Sequence, residues 1–128
     1  MRRPLALIGL VAVVLAGCGG GDDEGSRTAT VEAGRAVDVV GREYSFDPKN
    51  VVVQGAAGKP LEIRLKNEGS LAHNLKVFKG DQELGGTTTF QGGETRSARL
   101  DLAAGSYRMV CTVGNHEELG MHGKIEIR

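Results

Sequence analysis

The chain has 128 residues, a quarter of them charged, with 16 basic and 16 acidic side chains and no formal net charge. That balance, with no basic stripe along the chain, excludes a partner recognised through nucleic-acid phosphates. Three histidines, two cysteines, three phenylalanines, two tyrosines and no tryptophan leave an aliphatic core and too few imidazoles for a multi-copper cluster.

Arg2 and Arg3 precede an apolar run over residues 5–15, broken by Gly9, that stops at Leu15-Ala16-Gly17-Cys18. A positive start, an apolar middle and small residues before a cut are the layout of an export signal. The run is shorter than the roughly 20 residues a spanning helix needs. Its closing tetrapeptide resembles the bacterial lipobox, which implies cleavage before Cys18 and lipid on the Cys18 thiol. Behind it, residues 19–26 bring no apolar side chain and read as a flexible tether. The chain therefore divides into a signal peptide over residues 1–17, a tether over 18–26 and one folded domain over 27–128. With Cys18 lipidated, Cys111 is the domain's one thiol. No disulfide can form there, and an exported unpaired thiol needs something to hold it.

Strand signals follow in chain order. Val37 and Val39 alternate with polar neighbours, as do Tyr44 and Phe46 before an Asp47-Pro48 turn, and Val51-Val52-Val53 is a β-branched run. Leu61, Ile63 and Leu65 alternate with Glu62, Arg64 and Lys66, the pattern of a strand with one face in water. Leu75 and Val77 continue from His73. Ala98, Leu100 and Leu102 form another alternating set, then Tyr107, Met109 and Cys111, and finally Ile125 and Ile127. Turns are expected at Gly55-Ala56-Ala57-Gly58, Asn67-Glu68-Gly69, Gly85-Gly86, Gly92-Gly93 and Ala104-Gly105. Seven or eight short strands between such turns indicate an all-β fold, an antiparallel Greek-key sandwich. Residues 79–93 carry the weakest pattern, with Thr87-Thr88-Thr89-Phe90 readable as edge strand or loop.

The chemistry concentrates near the C-terminus. Cys111 closes an alternating strand in the phase that turns its sulfur inward, and His116 and Met121 follow on a glycine-containing loop. His73 stands where an earlier loop enters a strand. One thiolate, two imidazoles and a thioether are the donors of a mononuclear blue-copper centre, with methionine as the weak axial ligand. Taken singly, each has a plainer role: a buried hydrophobic thiol, a loop histidine, a core methionine. His122 follows Met121 directly, so alternation sends it to the surface. Zinc is the competing metal, with Glu117 or Glu118 as carboxylate in place of the methionine. A binuclear copper site needs a second cysteine the domain lacks. No acid–base pair or oriented nucleophile is visible, so the domain reads as non-enzymatic.

Tyr44-Ser45-Phe46-Asp47-Pro48, Ala72-His73-Asn74, Gly105-Ser106-Tyr107 leading into Cys111, and the stretch from His116 through Met121 to Lys124 together resemble the cupredoxin superfamily of small blue-copper proteins, which includes plastocyanin and azurin. The resemblance covers about residues 36–128. It implies that His73, Cys111, His116 and Met121 bind one copper ion, that Asn74 ties the two ligand loops together, and that the Ala72 carbonyl faces the metal opposite Met121. Members with a similar loop carry Pro-Gly before the second histidine, where this chain has Gly114-Asn115.

The expected function is one-electron transfer by a lipid-anchored monomer on the outer face of the cell membrane. The expected partners are transient redox proteins such as a cytochrome or a membrane oxidase. His116 would be the electron port, with Leu119, Gly120 and Gly123 as an apolar rim and Glu117 and Glu118 favouring a basic partner. The alternative is a copper carrier or storage protein, which would use exposed, exchangeable donors.

Overall fold

In the computed structural model, which describes residues 27–55 and 58–128, the apolar alternations become strands packed face to face. The expected signal peptide, Cys18 and the expected tether lie outside the described residues. Among the described residues there are ten strands: β1 Thr28–Glu32, β2 Val37–Arg42, β3 Ser45–Asp47, β4 Asn50–Gln54, β5 Leu61–Asn67, β6 Lys76–Lys79, β7 Gln82–Gly86, β8 Thr95–Leu100, β9 Gly105–Val110 and β10 His122–Ile127. One sheet has the order β1-β4-β10-β9-β6-β7 and the other β3-β2-β5-β8. The fold is the expected all-β sandwich.

β5 shows why these residues choose a strand. Leu61, Ile63, Leu65 and Asn67 are buried, and Arg64 and Lys66, which alternate with the last three, face water. Each such aliphatic side chain contributes about 1.5–3 kcal/mol by leaving water. Val37, Val39 and Phe46 face the core from the same sheet, opposed by Val51, Val53, Val77, Tyr107, Met109, Ile125 and Ile127. Tyr107 also donates its hydroxyl to the Ala103 carbonyl at 2.6 Å, which pins the connection entering β9 as tyrosine corners do.

The pairing is mixed where antiparallel sheets were expected. β1 with β4, β4 with β10, and β2 with β5 run parallel. Each parallel pair joins strands that are not consecutive, whereas the consecutive pairs β2–β3, β6–β7 and β9–β10 are antiparallel. Side-chain period reveals which face of a strand is buried but not which neighbour it acquires. Two of the additional strands are poorly marked in the sequence. β1 has no fully buried residue, and β7 is exposed over Gln82, Glu83 and Leu84. Thr87 to Phe90 form no strand, although Phe90 bridges His73 in an isolated antiparallel pair.

Candidate metal centre

Three loops meet at one end of the sandwich. The first follows β5 and is folded around Asn67, which is fully buried. Its amide Nδ2 donates to the carbonyls of Leu71 at 2.9 Å and Phe90 at 3.1 Å, and its Oδ1 accepts the Gly69 N–H at 2.9 Å. A side chain that met only water could not shape a loop this way, because its bonds would exchange freely. Next, His73 and Phe90 exchange backbone hydrogen bonds of 3.1 and 3.0 Å, which seats the imidazole inside.

The second loop carries the other donors. Cys111 comes directly after β9 and Met121 directly before β10, so the β9–β10 pairing holds both ends of the loop. The Cys111 N–H donates to the Met121 carbonyl and the Met121 N–H to the His116 carbonyl, each at 3.0 Å. On the outside, Arg108 of β9 donates to Glu117 at 2.9 Å while its guanidinium lies over the Phe78 ring. Asn74 joins the two loops. Its Nδ2 donates to the hydroxyls of Thr89 at 3.0 Å and Thr112 at 2.9 Å, and its Oδ1 accepts the Thr112 N–H at 2.9 Å.

The third segment is the β2–β3 turn. Tyr44 packs its ring 4.9 Å from that of His116, tilted by 59°. Glu43 accepts the Leu71 N–H at 2.7 Å and stands 3.2 Å from His73 Nε2. The Leu71 N–H, with His73 assisting, holds the Glu43 carboxyl below the usual carboxylate range. For His73, burial outweighs the neighbouring carboxylate and lowers its pKa, favouring the neutral imidazole that a metal requires.

His73, Cys111 and Met121 are fully buried, and His116 is only 7% exposed. The Nδ1 atoms of the two histidines are 3.1 Å apart, and Cys111 Sγ lies 3.9 Å from the first and 3.6 Å from the second. The point equidistant from those three atoms is about 2.1 Å from each, within the 2.0–2.3 Å over which imidazole and thiolate bind a first-row ion such as zinc. The donor atoms thus fit one metal ion. Met121 lies against Gly41, where an added Cβ would stand 3.2 Å from the methionine Cε. A larger residue there would press on the thioether.

Among the described residues, no carboxylate joins His73, Cys111 and His116 in a metal-binding group. Glu117 is turned toward Arg108 and Glu118 is exposed, so the zinc alternative lacks its fourth ligand. A soft thiolate, two imidazoles and a buried methionine form a copper donor set. His122 is exposed, and Ala72, half-buried, immediately precedes His73. Gly123 is buried beneath the Lys49 carbonyl rather than on the rim. Sequence reasoning missed Glu43, Asn67 and Thr112. The first had no local signal, while the Asn67-Glu68-Gly69 turn already placed a side-chain amide at a bend.

A sequence model described as copper binding proteins, plastocyanin/azurin family, matches residues 27–128. No curated protein sequence matches the chain. Among solved structures, dithionite-reduced auracyanin from the photosynthetic bacterium Roseiflexus castenholzii superposes with a TM-score of 0.67 at 18% identity, over 75% of this chain and 98% of its own. Auracyanin A, a "blue" copper protein from Chloroflexus aurantiacus, gives 0.62 at 23% identity, over 80% and 100%. Rusticyanin from Thiobacillus ferrooxidans gives 0.61 at 18%, over 82% and 87%. At these identities the likeness is one of fold. The family match runs through every described strand and through both ligand loops, and its metal is the one that this donor set suits: the chain belongs to the plastocyanin/azurin family of copper-binding proteins.

Proposed function

We propose that the protein is a one-electron carrier and not an enzyme, in which His73, Cys111 and His116 would hold a single copper and Met121 would add a weaker thioether donor. The observation that carries this reading is the convergence of three buried donor atoms around one point. Copper, when bound, supplies the Cu(I)/Cu(II) couple. The chain supplies a frame. Backbone bonds between Cys111, His116 and Met121, and the Asn74 tie to the His73 loop, hold the donors through the scaffold itself. Such a frame limits rearrangement between oxidation states.

His116 is the one donor with any exposed surface and is the electron port in this reading. Leu119, 50% exposed on the same loop, and Leu71, 44% exposed on the His73 loop, offer apolar surface for transient docking. Because Glu117 already pairs with Arg108, Glu118 is the better candidate for steering a basic partner edge. The export signal and Cys18 lead us to place the protein outside the cytoplasmic membrane, held by lipid, where a cytochrome or membrane oxidase is the expected partner. Durable anchoring of this kind needs more than one acyl chain. The buried donors argue against a carrier or storage role, which needs ligands that exchange readily.

The test is the visible and paramagnetic spectrum of the purified protein after Cu(II) addition. One copper per chain and an intense thiolate charge-transfer band are expected, and Cys111→Ser abolishes the band. A copper-replete, oxidised wild type without that band refutes the assignment.

A further inference from the structure

Glu43 sits in the β2–β3 turn, remote in sequence from every donor, yet its carboxylate reaches the loop that carries His73. Oε1 accepts the Leu71 N–H at 2.7 Å and lies 3.2 Å from His73 Nε2. An ionised carboxylate only accepts hydrogen bonds, so Nε2 carries the proton. A neutral imidazole has a single N–H, which leaves Nδ1 its lone pair. That lone pair is the one facing Cys111 Sγ and His116 Nδ1. The Glu43 carboxylate lies against Gly69, where an added Cβ would have to push it aside. His73 is fully buried, whereas the Glu43 side chain keeps 27% of its surface. The carboxylate therefore holds the ring from the rim.

We propose that Glu43 is a positioning residue for the copper site, fixing His73 as the Nε2–H tautomer and favouring Cu(II) over Cu(I). The proposal rests on the copper reading above. A carboxylate that takes the far N–H of a ligand imidazole orients the ring and makes the ligating nitrogen more basic. Its negative charge also favours the more highly charged ion of the couple. Both effects stabilise the oxidised site more than the reduced one.

The tautomer is read first, in the metal-free wild-type protein, from the ring 15N shifts of His73. Nε2–H is expected, and finding Nδ1–H overturns the proposal without any variant. Glu43→Ala should then give a mixture of tautomers. Glu43→Gln keeps the side-chain volume and an acceptor for the Leu71 N–H but removes the charge. Its Cu(I)/Cu(II) equilibrium should shift about tenfold toward Cu(I), which is about +59 mV for one electron. A purely structural brace would lower the unfolding midpoint equally in metal-free, Cu(I) and Cu(II) protein and leave the potential unchanged; that result overturns the proposal. Failure of the wild type to bind copper would instead overturn the copper reading, while the metal-free tautomer still decides whether Glu43 sets His73.

Discussion

Asn74→Ala separates the scaffold from the metal. Asn74 is 3% exposed and makes three side-chain hydrogen bonds of 2.9–3.0 Å that join the His73 loop to Thr112, next to Cys111, and to Thr89. Three such bonds at a net 0.5–1.5 kcal/mol each would sum to about 1.5–4.5 kcal/mol. Thr89 and Thr112 are exposed residues, so water can replace part of what they lose, which places the expected cost near 2 kcal/mol. For a domain of this size that corresponds to a fall of about 8–16 °C in Tm. Urea unfolding of the metal-free variant measures the cost directly, at constant m-value. Competition with a chelator then measures copper affinity, where loosening of two ligand loops should cost roughly tenfold. A metal-free loss below about 0.5 kcal/mol, or a full loss with unchanged copper affinity, would refute the view that Asn74 holds the two loops in register.

Met121→Leu should retain copper and colour while raising the reduction potential by voltammetry, since a weak donor to the oxidised ion is replaced by a hydrocarbon in a buried position. His73→Ala should instead abolish or grossly distort copper binding in the paramagnetic spectrum; equal, complete loss in both variants would contradict the axial and equatorial roles. Cys18→Ala, expressed in a bacterium, should block acylation as read by mass spectrometry and leave the copper spectrum unchanged. A native mature protein that begins downstream of Cys18 and carries no lipid would refute the anchoring.

Much of the sandwich was legible because burial is one-sided. Ile63 and Leu65 alternate with Arg64 and Lys66 in the sequence as they do in space. The donor residues were legible by type, since thiol, imidazole and thioether rarely coincide on one short loop, and the fold brings His73, Cys111 and His116 within bonding reach of one ion. Strand partners were not legible. Nothing in Val51 states that it will pair in parallel with both Ala29 and Ile125, because that choice depends on how the strands distribute between sheets. Glu43 was hidden for a related reason. A glutamate in a turn normally marks a solvated surface, and the contact that gives this one its role, with His73, spans 30 positions. Asn67 looked like turn punctuation, whereas its amide is fully buried and organises the ligand loop.

The place of β10 has a consequence for assembly. This strand lies between β4 and β9, so the larger sheet stays in two halves until residues 122–127 insert and Val51 finds Ile125. Closure of so long a loop is entropically costly and slows folding relative to a chain of local hairpins. The Cys111 N–H donates to the Met121 carbonyl at the mouth of the β9–β10 hairpin, a local contact that the hairpin can form early. Asn67 and Glu43 belong to the opposite sheet, and His73 sits on the connection that crosses from β5 of that sheet to β6 beside β9. Metal held by His73, Cys111 and His116 together therefore needs the β9–β10 hairpin, the β5–β6 connection and the second sheet all in place.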